Sequence, residues 1–208
     1  MISYLVFDFD GTLADTQQLF IETYNTIAGR RNYRLIEQGS LSHLKKLSVA
    51  ERCRYLGVPF YRVPFMGIEF LKEYSKSTTY IQPIAGIKQM LGELKSMGYE
   101  LAIVSSNNKQ NIGRFLAEQN IDEISVIHCS SNILGKASLL KRFLKTLDLR
   151  ADEVIYIGDE QRDILASREA GVKSIAVTWG YDEVGTLAAL SPDHIVHTPG
   201  DIAKILSS

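Results

Sequence analysis

Near-continuous apolar runs, separated by segments with helical periodicity, constrain the fold of this 208-residue chain most strongly. Strands that are buried on both faces of a sheet have such runs, whereas strands with one solvated face alternate apolar and polar residues. Strands that alternate with helices form parallel sheets through right-handed crossovers. The sequence therefore predicts an α/β fold with a doubly wound parallel sheet. The predicted strands are 4–9, 101–104, 124–128, 154–157 and 174–178, and the predicted helices between them are 86–97, 108–119, 136–147 and 161–170.

The segment after the first predicted strand is too long for one crossover helix. It contains further stretches with apolar residues near helical spacing, at 17–28, 42–56 and 64–76. We therefore predict a core made of residues 1–14 and 81–208, with a small inserted α-helical cap over residues 15–80. The stretch 78–86 contains Pro and Gly and is predicted to be the linker that returns to the core.

The composition is typical of a globular protein, with 45% hydrophobic and 23% charged residues. A net charge of −1 argues against nucleic-acid and membrane partners. Residues 14–80 hold ten Lys/Arg against six Asp/Glu, which would suit an anionic substrate or simply reflect a solvated surface. There is no signal-peptide pattern and no run of the ~20 apolar residues that span a bilayer. Cys53 and Cys129 are isolated, so we expect a soluble, cytoplasmic protein.

Polar residues follow several of the predicted strands, at the strand ends where parallel sheets bind their ligands. These residues are Asp8, Asp10, Gly11 and Thr12 after the first strand, Ser105, Ser106 and Asn107 after the second, and Asp159, Glu160 and Asp163 after the fourth. Lys136 begins a predicted helix nearby. Clustered carboxylates repel one another unless a cation lies among them, and hard oxygen donors suit Mg2+. Together with an ammonium and a hydroxyl, such an ion can hold and neutralise a phosphoryl group.

Asp8 and Asp10 are two residues apart, so on a strand their side chains would point to the same face. One carboxylate could then attack phosphorus while the other protonates the leaving alcohol and deprotonates the hydrolytic water. Gly11 would let the backbone approach the phosphate closely. The spacing therefore favours phosphoryl transfer at the end of the first strand.

The segments "DFDGTLADT", "IVSSNN", "GK" and "YIGDEQRD" occur in this order along the chain. They resemble the four motifs of the haloacid dehalogenase superfamily, and the phosphatase branch that includes phosphoglycolate phosphatase is the nearest match. The resemblance implies a Rossmann-like core, a helical cap and an Mg2+-dependent phosphatase that acts on a small phosphorylated metabolite through an aspartyl-phosphate intermediate. We expect a monomer or a homodimer.

The resemblance also assigns roles to individual residues. Asp8 would be the nucleophile and Asp10 the general acid and base. Mg2+ would be held by Asp8, the backbone carbonyl of Asp10 and the carboxylate of Asp159, with Asp163 supporting the metal site through water. The phosphate would be held by Ser105 with the backbone of Ser106, and Lys136 would balance the negative charge. From the residues alone, which of Ser105, Ser106 and Asn107 binds the phosphate depends on the residue at which the preceding strand ends.

Two features depart from the family pattern: no proline follows Lys136 closely, and the cap has no motif that identifies the substrate. A sugar phosphomutase with the same chemistry is therefore an alternative, and so is a non-catalytic regulatory or binding protein on this fold. A dehalogenase is less favoured, because Asp10 and the predicted Mg2+ ligand Asp159 would have no assigned role in that reaction. A nucleotide-binding P-loop does not fit "SSNILGKAS", because Ser130 and Ala137 stand where glycine and Ser/Thr are needed.

Overall fold

The structure, a computed structural model, describes residues 2–77 and 81–207, and within them six parallel strands form one sheet in the order β5-β4-β1-β6-β7-β8. The central strand β1 (Tyr4–Phe7) lies between β4 (Glu100–Ser105) and β6 (Val154–Gly158). The outer strands are β5 (Ile124–Cys129), β7 (Lys173–Val177) and β8 (His194–Val196). The parallel α/β sheet predicted from the apolar runs is confirmed.

Helices cover both faces of the sheet because successive side chains of a strand point to opposite faces. In β1, Leu5 and Phe7 belong to one buried apolar cluster and Val6 belongs to another. The first cluster includes side chains of α5 (Ile87–Ser96), α6 (Lys109–Gln119) and α10 (Pro199–Leu206). The second includes side chains of α7 (Lys136–Thr146), while α8 (Gln161–Ala170) and α9 (Val184–Ala188) pack beside it. The result is a three-layer sandwich.

The predicted core helices agree with the structure to within about one residue at each end. The first strand is shorter than predicted, since it ends at Phe7 and not at residue 9. The stretch around His194 forms the edge strand β8.

Between β2 (Ala14–Asp15) and β3 (Gln82–Pro83) the chain forms the helices that we call the helical insert, residues 16–77. They are α1 (Gln17–Arg31), α2 (Leu41–Leu44), α3 (Val49–Leu56) and α4 (Val63–Tyr74). They share an apolar cluster of their own that includes Tyr24, Ile36, Leu44, Leu56 and Val58. None of the described helices combines the length and the apolarity that crossing a membrane requires.

The single helix predicted over 42–56 is wrong, because the structure has two helices there. Ser48 begins a new helix: its hydroxyl accepts a hydrogen bond from the backbone N–H of Glu51, whose carboxylate accepts one from the N–H of Ser48. This capping box fixes a helix start inside the predicted helix.

The predicted return linker 78–86 falls partly outside the described residues, which omit 78–80. Its described part contains β3, which pairs antiparallel with β2, matching Ala14 with Pro83 and Asp15 with Gln82. We call this pair of short strands the connecting ribbon. It ties the two chain segments that join the helical insert to the core.

Candidate active site

Asp8 lies directly beyond β1 and is buried among charged side chains. Its backbone N–H donates to the carbonyl of Ile157 at 2.8 Å, which continues the ladder between β1 and β6 by one residue. Lys136, the first residue of α7, places Nζ 2.5 Å from Asp8 Oδ2 and also donates to Asp163. All three side chains are no more than 2% exposed. The sequence prediction that these residues converge is matched by their contacts in the structure.

The charges of Asp8, Lys136 and Asp163, which we call the buried triad, affect one another's pKa values. Burial opposes ionisation of Asp8, but the charges of Lys136 and Arg162 outweigh it and lower the pKa of this carboxyl. Burial disfavours the Lys136 ammonium, yet Asp163 and Asp8 raise its pKa. For Asp163 burial is the larger effect, so its pKa is raised to about 6 in spite of Lys136. Of the two acids that contact Lys136, Asp8 is therefore the one better held in its anionic form.

Asp10 lies in the turn after β1 and faces different partners. Its carboxylate accepts hydrogen bonds from Tyr74 Oη at 3.1 Å and from Asn107 Nδ2 at 2.9 Å. Burial raises its pKa to about 6, against the effect of the Asn107 hydrogen bond. Asn107 is itself fixed, because its Oδ1 accepts from the N–H of Asn108 and from Asn111 Nδ2. Since β1 ends at Phe7, the two carboxylates do not share a strand as predicted: Asp8 contacts Lys136, and Asp10 contacts Tyr74 and Asn107.

Asp159 follows β6 and has no exposed surface. Its carboxylate accepts hydrogen bonds from Thr12 Oγ1 at 2.6 Å and from the backbone N–H of Tyr181 at 2.7 Å. Burial, and then the carboxylates of Glu160 and Asp163, raise the pKa of Asp159 well above its usual range. An acid in this setting is stabilised in its charged form by an additional cation.

Gly11 is required by Asp159 and by its own backbone conformation. Its φ of +79° is one that side chains disfavour, and a Cβ at this position would lie 2.5 Å from Asp159 Oδ2. Its N–H donates to the carbonyl of Ala14 within the turn. The structure therefore gives a steric reason for glycine here, while the predicted close approach to phosphate stays a prediction.

The carboxylates at this edge of the sheet fit a hard divalent cation. Among the described residues, oxygen atoms of Asp8, Glu160 and Asp163 lie within 4.8 Å of one another, and all three residues are buried. Carboxylate oxygens are the donors that Mg2+ prefers. Glu160 was given no role by the sequence reasoning, although it directly follows Asp159. The predicted ligand Asp159 lies beside this trio and not in it.

Two of the residues predicted to hold phosphate, Ser105 and Ser106, lie at the end of β4. Ser105 is buried and its Oγ accepts from the backbone N–H of Asn107 at 3.2 Å. The half-buried Ser106 accepts at Oγ from Arg162 Nη1 at 3.0 Å. Arg162, which the sequence reasoning missed, also contacts Glu160 with Nη2 at 2.5 Å. It is a second cation beside the acids, three residues after Asp159 in the same motif.

The helical insert contacts the core directly around these residues. On one side, Tyr74 of α4 reaches Asp10. On the other side, Arg52 of α3 contacts both Glu160, at 3.5 Å, and Asp182. Neither contact has a local signal in the sequence, because each joins residues more than sixty positions apart. The insert therefore forms a wall of the site.

Comparisons with known proteins agree with this geometry. The family model described as haloacid dehalogenase-like hydrolase matches residues 5–177. The chain belongs to the haloacid dehalogenase-like hydrolase family. It is 29% identical over 204 residues to a phosphoglycolate phosphatase of Synechococcus elongatus, covering 98% of this chain and 96% of that protein. It is 24% identical over 221 residues to the pyrophosphatase PpaX of Bacillus mycoides, covering 99% and 97%.

Among solved structures, a predicted phosphatase from Clostridium acetobutylicum matches with a TM-score of 0.85 at 20% identity, covering all of both chains. This likeness confirms the fold. The family resemblance drawn from the four motifs is confirmed, and so is the assignment to the phosphoric monoester hydrolases of this family.

Proposed function

We propose that the protein is an Mg2+-dependent phosphatase that hydrolyses a small phosphomonoester through an aspartyl-phosphate on Asp8. The observation that carries this proposal is the pairing of the buried Asp8 carboxylate with Lys136 at 2.5 Å, while a second carboxylate, Asp10, is held nearby by different partners. In this proposal Asp8 serves as the nucleophile and Asp10 transfers protons.

In the first step, an oxygen of Asp8 attacks phosphorus and the bond from phosphorus to the alcohol oxygen breaks. The protonated carboxyl of Asp10 gives its proton to that oxygen, so that a neutral alcohol leaves. In the second step, the Asp10 carboxylate takes a proton from water, and the oxygen of that water attacks the phosphorus of the acyl phosphate. Inorganic phosphate is released and Asp8 is regenerated.

The surrounding residues support both steps. Lys136 offsets negative charge on Asp8 and on the phosphoryl group, and Ser105 and Ser106 lie where they could donate to phosphate oxygens. Mg2+ would be held by carboxylates from Asp8, Asp159, Glu160 and Asp163, together with the backbone carbonyl of Asp10. When bound, the ion neutralises phosphoryl oxygens and makes phosphorus easier to attack.

Asp8→Asn tests the role of the nucleophile. We expect Mg2+-dependent phosphate release from p-nitrophenyl phosphate to fall by about three orders of magnitude or more, because an amide oxygen is a poor nucleophile. The matched control is Asp15→Asn, a change of the same kind at an exposed position of β2, which should keep its activity. Full activity in Asp8→Asn would contradict the mechanism.

Asp10→Asn tests the intermediate. Without a base to activate water, the acyl phosphate should accumulate in that variant, and acid-quenched protein should gain the mass of one phosphoryl group when it is incubated with substrate and Mg2+. The gain should be absent in the double variant that also carries Asp8→Asn. A mass gain that persists in the double variant would place the phosphoryl group on another residue.

The identity of the ester needs a substrate panel. Two relatives carry the names phosphoglycolate phosphatase and pyrophosphatase, so the panel includes phosphoglycolate and pyrophosphate beside sugar phosphates and nucleotides. Measuring isomerised sugar phosphate against released phosphate separates a phosphatase from a phosphomutase.

A further inference from the structure

A cavity leads from the catalytic acids into the helical insert. Asp10 and Asn107 lie on its wall at the core side, and Phe70, Leu56 and Val58 lie on its wall within the insert. Its volume is about 240 Å³. The space therefore joins the site of phosphoryl chemistry to the apolar cluster between α1, α3 and α4.

The insert side of this cavity is largely apolar, with Gln17, Lys45 and Arg52 as its amide-bearing and charged side chains. Aliphatic and aromatic side chains from three helices face it, including Ile21, Met66 and Phe20. Phe20 and Phe70 pack against each other with ring centroids 5.0 Å apart. Several of these side chains are only partly buried although they belong to the insert's cluster. They therefore present apolar surface that a ligand could cover.

The cations on the cavity wall are already engaged by protein oxygens at the junction with the core. Arg52 contacts Glu160 and Asp182, and Lys45 Nζ donates to the carbonyl of Gly180 at 3.0 Å. Arg162 contacts Glu160 and Ser106, as described above. A carboxylate on the substrate would have to compete with these partners and would lose hydration among apolar side chains, which is costly.

We propose that the substrate is the phosphomonoester of an apolar alcohol, with a hydrocarbon group the size of a phenyl ring or a six-carbon chain. This inference rests on the proposed phosphatase function, because the phosphate must lie at Asp8 for the alcohol to enter the cavity. An apolar cavity of about 150 Å³ accommodates a benzene molecule, so the 240 Å³ here has room for a group of that size beside the ester linkage. A short, charged glycolate would leave most of the apolar wall uncovered.

The test is a chain-length series with two readouts. Ethyl, butyl and hexyl phosphate are assayed with Mg2+ for kcat/KM, with phosphoglycolate as the charged short ester. Each added methylene that reaches the cavity should raise kcat/KM about fourfold, so that hexyl phosphate exceeds ethyl phosphate by on the order of 100-fold. Binding of ethyl- and hexylphosphonate, which contain no ester bond to hydrolyse, is measured by calorimetry and should follow the same order.

Filling the cavity should remove this preference. Cys53 lies on α3 and lines the cavity, so Cys53→Phe should lower kcat/KM for hexyl phosphate by at least about tenfold. The readout is the ratio of kcat/KM for hexyl phosphate to kcat/KM for ethyl phosphate, which should fall in this variant. Cys53→Ala is the matched control and should keep the preference, while circular dichroism checks that both variants fold. If Cys53→Phe does not fold, the chain-length series with the unmodified enzyme still tests the proposal.

The outcomes separate this inference from the proposed function. Turnover that is equal across the series, or highest for phosphoglycolate, overturns the apolar-alcohol proposal and leaves the phosphatase standing. Chain-length-dependent phosphonate binding without turnover of any ester supports the apolar ligand and overturns the phosphatase. If neither turnover nor phosphonate binding is observed, both are overturned.

Discussion

Lys136→Met is the perturbation whose effect the structure predicts most directly. Methionine keeps a long unbranched stem in place but removes the ammonium that contacts both Asp8 and Asp163. Two buried carboxylates would then face each other without the cation between them. We expect a large loss of stability as well as of activity.

The magnitude follows from the burial of the triad. Removing one partner of a buried ion pair costs about 3–5 kcal/mol, because the other charge stays buried without compensation. For a chain of this size each kcal/mol shifts the melting temperature by about 2–4 °C, so the expected decrease is about 6–20 °C. Asp163→Asn in the Lys136→Met background removes one of the two uncompensated charges and should restore about half of that decrease.

The assay is thermal unfolding by calorimetry or circular dichroism, with EDTA in every sample so that divalent cations do not replace the ammonium. Lys141→Met is the matched control on the same helix. Lys141 pairs with Glu169 at 2.9 Å, but the two side chains are 50% and 62% exposed. An exposed pair contributes only about 0–1 kcal/mol, so this variant should melt close to the unmodified protein.

A melting temperature of Lys136→Met within about 2 °C of that of Lys141→Met would contradict this expectation. A further decrease in the melting temperature of Lys136→Met on adding Asp163→Asn would contradict it as well. Either result would mean that the buried carboxylates do not depend on Lys136 for compensation of their charge.

Two further predictions concern Tyr74 and Gly11, which lie beside Asp10 and Asp159 of the candidate site. Tyr74→Phe removes a hydrogen bond to Asp10 and should lower kcat by about tenfold. The control Tyr61→Phe changes a residue of the insert that is 72% exposed, and it should leave kcat unchanged. Equal kcat values for the two variants would contradict a role of the insert in holding Asp10. Gly11→Ala should abolish activity and cost more than about 1 kcal/mol of stability, because its Cβ would meet Asp159. Gly185→Ala, where a Cβ meets nothing within 4 Å, should be neutral or stabilising, and a Gly11→Ala enzyme with normal activity and melting would contradict the steric argument.

The sheet and the position of Asp8, Lys136 and Asp163 were predictable because each follows from local pattern. A buried strand has a continuous apolar run, and parallel strands bring their carboxyl ends to one edge. The start of α3 was also readable: Ser48 and Glu51 form a capping box three residues apart, a sequence signature that the apolar periodicity of 42–56 obscured.

The contacts across the insert were not predictable in the same way. Tyr74 reaches Asp10 from a position 64 residues along the chain, and Arg52 reaches Asp182 over 130 residues. Nothing near Tyr74 in the sequence distinguishes it from a packing tyrosine, since its role comes from how α4 is oriented on the core. Asn107 falls between these cases: its position after β4 was noted, but its hydrogen bond to Asp10 depends on the turn that follows β1.

The connecting ribbon has a consequence for how such a protein can diversify. Because Ala14 pairs with Pro83 and Asp15 with Gln82, the chain leaves the core and returns to it at nearly the same point. The residues in between can therefore be lengthened, shortened or exchanged with little strain on β1, since extra loop length is entropically inexpensive. The acids proposed to act on phosphorus lie before or after this segment in the chain, whereas the apolar wall of the cavity lies inside it. Mutations in the helical insert can therefore change which alcohol the cavity accepts, while the residues proposed for phosphoryl transfer stay the same.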